Sequence, residues 1–168
     1  MSRAYHLAQV NVALAREPLD APLLADFMAA LAPVNARADQ APGFVWRMQD
    51  ETDDATSVRG FGGSERLIIN MSIWTSLQAL REFVYRDPDH VAVMRRRRTW
   101  FDRLDLHTAL WWVPATHRPD VPEAEQRLAH LNAHGPTPHA FSFRSAFPPP
   151  DQPDPVLIED DDRWLCPA

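Results

Sequence analysis

The chain of 168 residues has no lysine; apart from its histidines, every one of its 17 basic residues is an arginine. Schiff-base and pyridoxal-phosphate chemistry, the lysine of a phosphate-binding loop and Ser-Lys nucleophile pairs all require an amine that is missing here. Cysteine is nearly absent too. The single Cys166 leaves no intrachain disulfide framework and no cysteine-based structural zinc site. No apolar run approaches the roughly 18 residues needed to cross a bilayer, and the opening MSRAYHLAQVNVAL lacks the ordered sections of a secretion signal, so the expectation is a cytoplasmic chain with no membrane partner. A sustained basic stripe is likewise missing: the net charge is -6 and the arginines cluster only at Arg95–Arg98, which argues against nucleic acid as a partner. His130 and His134 stand one helical turn apart with His139 nearby, but exposed helix polarity explains them and no metal centre is expected.

What the chain does have is apolar bulk. It is 45% hydrophobic, with six Trp and eight Phe, enough for one substantial core and a single domain over residues 1–147. The acidity lies elsewhere. From Asp151 onward six acidic residues face one arginine, so five of the six net negative charges sit in the tail. Pro148–Pro155, PPPDQPDP, reads as an extended linker opening a Pro-rich acidic tail over 148–168. That tail is either disordered or an arm docking through Leu157 and Trp164.

Tyr5 to Ala13 alternates two chemically different faces, as a strand does. Asp20 with Pro22 opens a helix in which Leu24, Phe27, Met28, Leu31 and Asn35 recur at helical spacing, turning Asn35 inward, until Ala41-Pro42-Gly43 stops it. Phe44 to Asp50 and Leu67 to Trp74 are the next strands. A second helix begins near Ser76, and Asp87-Pro88 divides it into Leu77–Tyr85 and Asp89–Leu104. Thr108 to Val113 completes β-α-β-β-α-β, an α+β arrangement of ferredoxin-like type with helices on one face of the sheet. Pro122 to His134 is a C-terminal helix carrying Leu128 and Leu131, and Ala140 to Arg144 is either a short fifth strand or an interface arm. Because the strands are apolar on both alternations, the second sheet face is expected to be buried by a second subunit, as a homodimer.

Side chains at i and i+4 on a strand share a face, so Asn70, Ser72 and Trp74 line one surface, with an amide and an indole able to hold a phenolate or an oxygen species. The plain alternative is that Trp74 is core and Asn70 satisfies a neighbouring backbone group. His90, just past the helix break, is the acid-base candidate, since its ordinary pKa lies near working pH. Four consecutive arginines sweep nearly a full helical turn, and Arg95 or Arg98 shares the Val91 and Met94 face. A guanidinium entering the pocket needs a carboxylate of the fold or an anionic ligand to offset its desolvation. Arg47, Gln9 and Asn11 are further polar strand residues suited to line a cavity, as is Asn35 from its helix.

The segments YHLAQVNVA, PGFVWRMQDE, NMSIWTSLQALREFVY, RRRRTWF and LWWVPA followed by HRP carry a resemblance. From about Tyr5 to Phe143 the chain resembles the antibiotic-biosynthesis-monooxygenase-like superfamily of dimeric α+β barrels, and within it a bacterial domain-of-unknown-function family numbered 3291. The resemblance implies the barrel and the dimer. It also implies a pocket in which Asn70 and Trp74 match the pair that helps cofactor-free monooxygenases bind a phenolic or polyketide-like substrate and promote its reaction with oxygen, with no cofactor required. Two other readings stand beside it: a noncatalytic dimer holding a small apolar or aromatic ligand or a partner, and haem binding or degradation through His90 with Trp74 and Asn11.

Overall fold

The computed structural model describes residues 4–49, 61, 64–104 and 107–152. One antiparallel sheet is built around β1 (Tyr5–Ala15), whose alternation runs two residues further than expected. On one side β1 pairs with β3 (Leu67–Trp74), from Leu7↔Trp74 to Leu14↔Leu67, and β3 carries β2 (Phe44–Arg47) on its outer edge. On the other side β1 pairs with β5 (Thr108–Pro114) and, at its far end, with the two-residue β4 (Phe101–Asp102). The order β2-β3-β1 followed by the β4/β5 edge is the ferredoxin-like arrangement that the strand and helix sequence implied.

Local chemistry sets the helix boundaries. Asp20 does not cap the first helix; a 3-10 turn at Pro22–Leu24 precedes α1 (Ala25–Gln40), whose Pro33 lies on the exposed side. Ser76 Oγ accepts from the Ala79 N–H to start α2 (Leu77–Arg86). Asp87 then stops α2 and caps α3 (Pro88–Trp100), its carboxylate accepting from the Asp89 and His90 N–H groups, with Pro88 in the first turn where its missing donor costs nothing. The α3 helix ends four residues earlier than expected because Phe101 and Asp102 leave it to pair with β1. Asp120 caps α4 (Val121–His134) through the Glu123 N–H. Residues 140–144 form no strand; Phe141 makes an isolated antiparallel bridge to Leu110 on the β5 edge.

The two sheet faces differ. On the face of Ala8, Val10, Val12, Ile69, Met71, Ile73, Ala109, Trp111 and Val113 the core is one continuous cluster closed by Ala124, Leu128 and Leu131 of α4, with Phe61 at its edge. The homodimer expectation assumed that this face lacked cover; within one chain it is already buried, because α4 folds back over it. On the opposite face, under α1, α2 and α3, the core is split. One cluster gathers Leu7, Trp74, Leu77, Leu80, Leu110 and Phe141 at one end, and another gathers Ala15, Leu24, Phe27, Ile68 and Trp100 at the other. Each fully buried aliphatic side chain in these clusters contributes about 1.5–3 kcal/mol. No helix of the described residues is long and apolar enough to cross a membrane.

Candidate functional site

Strand register explains the split. Across the helix-covered face the side chains fall into rows: Trp112, Leu7, Trp74 and Phe44 form an apolar row, Leu110, Gln9, Ser72 and Arg47 the next, and Thr108, Asn11 and Asn70 a wholly polar third. Beyond it Ala13 and Ile68 return to apolar packing. The polar rows therefore fill the band between the two clusters. Both α1 and α3 cross that band, since Phe27 and Trp100 sit in one cluster while Ala41 and Phe83, the ring against which His90 packs, flank the other. Leu31 of α1 and Val93 of α3 pack against the cluster of Trp100, and Val34 and Asn35 of α1 and His90 and Arg97 of α3 are half-buried.

The predicted residues share this face but have different surroundings. Trp74 is 1% exposed, in edge contact with Phe44 and stacked on Phe83 at 5.3 Å. Its indole N–H is already committed, donating to Ser72 Oγ at 2.9 Å, and Ser72 in turn donates to Gln9 Oε1 at 2.9 Å. Asn70, four residues away, is exposed, and no hydrogen bond among the described residues holds its amide. Asn11 stands directly opposite it, at a separation of about 4.5–5.5 Å between Cβ atoms for such pairs, and donates from Nδ2 to Thr108 Oγ1 at 3.1 Å. Asn35, expected to face inward, is half-buried on α1, and its amide also makes no hydrogen bond among the described residues.

His90 closes one end of the band. Its ring lies 5.0 Å from Phe83, so Trp74, Phe83 and His90 form a continuous aromatic stack. Nδ1 donates to the Val84 carbonyl at 2.8 Å, which fixes the tautomer and leaves Nε2 as the basic nitrogen. Burial pushes the His90 pKa below its ordinary value, against the opposing pull of the Val84 carbonyl and the Asp87 carboxylate, so the ring is neutral at pH 7.

The arginines sort differently from expectation. Arg47 is buried in the second row but bound in a fork by Asp39 of α1, at 2.8 and 3.2 Å, and so ties α1 to the sheet. Arg95 and Arg98 are exposed; the helix phase puts Arg97 on the inward stripe instead. Within the block of four arginines the phase was ambiguous by one residue, and the His90, Val93, Trp100 spacing was the signal that would have resolved it. Sequence reasoning also missed Thr108 and Phe83, whose parts depend on cross-strand and helix-sheet neighbours. Two surface grooves of about 410 Å³ lie apart from the polar rows. One, between α1 and α2, reaches Phe83 from outside; the other lies along Trp112 to Pro114 and α4. Among the described residues no group of three or more His, Cys, Asp or Glu is arranged to hold a metal ion.

The sequence matches a family described as a domain of unknown function (DUF3291) over residues 6–156, so the match runs through the proline-rich linker that was expected to lie outside it. Among curated proteins, none matches the chain. Solved structures similar to it include protein SO0527 from Shewanella oneidensis, with 11% identity, 66% of this chain and 93% of that one covered, and a TM-score of 0.49. SnoaB, a cofactor-independent oxygenase from Streptomyces nogalater, is similar at 18% identity, 71% and 99% coverage and a TM-score of 0.45. Rv0793 from Mycobacterium tuberculosis is similar at 11% identity, 68% and 99% coverage and a TM-score of 0.47.

Proposed function

The chain belongs to the family described as a domain of unknown function (DUF3291), and from that premise we propose that it binds a small aromatic molecule bearing a hydroxyl or carbonyl group, between the helix layer and the polar rows of the sheet. The observation that carries this reading is the split core: one sheet face is sealed by a single apolar cluster, while the other interrupts its packing with Gln9, Asn11, Ser72 and Thr108, next to the exposed Asn70. A fold that needed only stability would fill that band with aliphatic side chains. In this reading the ligand packs its ring against the apolar ends and turns its oxygens to the amides.

In its enzymatic form the reading is cofactor-independent oxygenation of a phenolic or polyketide-like substrate. His90 Nε2 takes the phenolic proton, Asn70 and Asn11 orient the resulting phenolate, and the electron-rich ring itself reduces oxygen. Trp74 then acts as wall and positioning residue, because its N–H belongs to Ser72. Arg47 serves the scaffold, and Arg95 and Arg98 lie outside the site. A homodimer, as part of this proposal, pairs through a surface other than the face closed by α4.

Oxygen uptake with anthrone, without added flavin or metal, tests the reading. Uptake that falls at least about tenfold in Asn70→Ala and in His90→Ala supports it. Quenching of tryptophan fluorescence by anthrone without oxygen uptake leaves the noncatalytic ligand-binding reading. A Soret band on adding haem, lost in His90→Ala, replaces both with haem binding.

A further inference from the structure

The outer edge of β5 is open at one residue, and hydrogen-bond direction shows which. In an antiparallel pair, alternate residues turn both backbone groups toward the partner strand. The His107 carbonyl accepts from the Val12 N–H at 2.8 Å and the Ala115 N–H donates to the Ala4 carbonyl at 2.9 Å, so Ala109, Trp111 and Val113 between them also face β1. Leu110, Trp112 and Pro114 face outward. Leu110 exchanges two hydrogen bonds of 2.8 Å with Phe141, and the Pro114 carbonyl accepts from the His117 N–H at 2.8 Å. The Trp112 N–H and carbonyl make no hydrogen bond among the described residues. An edge that already takes an antiparallel partner at Leu110 therefore offers a second donor and acceptor pair one step along.

The groove of about 410 Å³ lies along this stretch, with Trp112, Val113 and Pro114 on its strand side and Glu123, Gln126 and Arg127 on its helix side. Its ends differ in charge. At the Pro114 end the Glu123 carboxylate is already engaged, with Oε2 2.6 Å from His117 Nε2 and Oε1 accepting from the Trp111 indole at 2.9 Å. At the Leu110 end Arg127 reaches Glu123 only at 3.4 Å and donates instead to the carbonyl and Nδ1 of His139, two residues before Phe141, at 2.7 and 2.9 Å. The His130 ring stands 4.6 Å from both His134 and His139, which makes this end a cluster of three imidazoles and a guanidinium. Burial, helped by Arg127 and His130, holds the His139 pKa below its ordinary value, a strain that a carboxylate laid beside it relieves. The groove thus suits an extended segment that pairs with Trp112 and turns acidic past it.

Such a segment follows in this chain. Asp151 Oδ2 accepts from the Ala4 N–H at 3.3 Å, and Ala4 is bonded to Ala115, the neighbour of Pro114, so the last described residues stand at the Pro114 end of the groove. Residues 153–168, PDPVLIEDDDRWLCPA, lie outside the described residues. From Gln152 to Val156 an extended chain covers about 13 Å, enough to round the end of β5. We propose that this chain's own residues 156–162 occupy the groove, with Val156, Leu157 and Ile158 pairing antiparallel to β5 at Trp112 and the acidic residues 159–162 lying against Arg127 and the three histidines. The order of the sequence matches the order of the groove. Entry at Pro114 sets an antiparallel direction, the β-branched and aliphatic residues come first, and the carboxylates then reach the cationic end, where Phe141 stops further pairing.

Residue-resolved amide hydrogen exchange on the full chain tests this. The Trp112 amide is expected to exchange at least about tenfold more slowly in wild type than in the double variant Leu157→Pro with Ile158→Pro, which removes an N–H on each alternation of the segment. A synthetic peptide of residues 153–163 is expected to restore the protection in that variant. Asp160→Asn with Asp161→Asn, or about 0.5 M salt, is expected to reduce it about threefold by weakening the contact with Arg127. The Val113 amide, which faces β1, is the control and is expected to exchange alike in every variant, since the substitutions lie outside the folded body. Equal exchange of the Trp112 amide in wild type and the proline variant overturns the proposal. So does protection that disappears on dilution, which assigns the edge to a second copy of the chain.

Discussion

Asn11 and Asn70 face each other across the β1–β3 pair, yet only one of them is held: Thr108 accepts from Asn11, while Asn70 is exposed and makes no hydrogen bond among the described residues. An exposed amide of this kind adds little to stability, so Asn70→Ala is expected to change the denaturation midpoint by no more than about 0.5 kcal/mol equivalent. Asn11→Ala leaves Thr108 without its donor and is expected to cost about 1 kcal/mol. If both variants weaken binding of a phenolic probe while only Asn11→Ala lowers stability, the row is functional at Asn70 and shared at Asn11. Urea unfolding alongside a binding titration separates the two.

Trp74 joins the apolar cluster to the relay. Truncation to Ala removes a buried ring packed on Phe44 and Phe83 and is expected to destabilise by about 3–5 kcal/mol. Phenylalanine keeps much of the ring contact but gives up the N–H that Ser72 accepts, for an expected loss of about 1 kcal/mol. Trp74→Phe should therefore be nearly as stable as wild type in urea, while Trp74→Ala unfolds at clearly lower denaturant.

Acid should destabilise the fold through its histidines before its carboxylates titrate. His90 has a pKa lowered from 6.5, mainly by burial, so the unfolded chain binds more protons than the native one once the pH drops below 6.5. Stability is then lost from 6.5 downward, until the depressed native value is passed. His107 and His139 are lowered too, chiefly by burial, and add the same sign. Asp87 acts in a separate window: desolvation raises its pKa, but the His90 N–H and Arg37 outweigh that, and the stability it contributes is lost only below 3.8. Urea midpoints measured across pH are expected to be level above 6.5 and to fall below it, with a shallower fall in His90→Gln.

How much of this was legible in the sequence follows from the range of the interactions. Leu67–Trp74 and the break at Asp87-Pro88 were readable because strand alternation and a proline at a helix start are local signals. The shared face of Asn70, Ser72 and Trp74 followed from strand period alone. Their different fates did not, since Trp74 is buried by Phe44 and Phe83 from other elements, while among the described residues β2 pairs with the end of β3 nearer Trp74 and Asn70 is exposed. The destination of α4 was similarly hidden. Leu128 and Leu131 announced an amphipathic helix, but nothing local says that it returns to the second face of the sheet.

That return can be tested directly. Leu128 and Leu131 are 7% and 4% exposed against the cluster of Val10, Met71 and Trp111. Aspartate at either position buries an unpaired charge or detaches the helix, with an expected loss of about 3 kcal/mol or more. Detachment uncovers a broad apolar sheet face, so Leu128→Asp is expected to associate with itself at concentrations where wild type keeps its own oligomeric state. Light scattering coupled to gel filtration reads this out, and an unchanged mass for a folded variant would show that α4 is not what closes that face.

Gly43 controls how closely α2 settles on the sheet. Its φ of 83° is a left-handed conformation that favours glycine, and its carbonyl accepts the Thr75 N–H at 2.8 Å just before α2 begins. A Cβ at this position would stand 2.5 Å from Ala79 Cβ and 2.7 Å from Thr75 Oγ1, so Gly43→Ala combines backbone strain with a steric clash. Gly135 provides the internal control. It also has positive φ, at 72°, but among the described residues no atom lies within 4 Å of where an added methyl would sit, so Gly135→Ala carries the backbone penalty alone, about 1–2 kcal/mol. The expected loss for Gly43→Ala is larger, about 3 kcal/mol, and Ala79→Gly should recover the part of it due to the Ala79 clash but not the Thr75 clash or the backbone part. Since α2 also carries Phe83, pushing it outward must loosen the stack of Trp74, Phe83 and His90. A red-shifted tryptophan emission in Gly43→Ala, absent from Gly135→Ala, is the result that connects this one turn to the aromatic wall of the site.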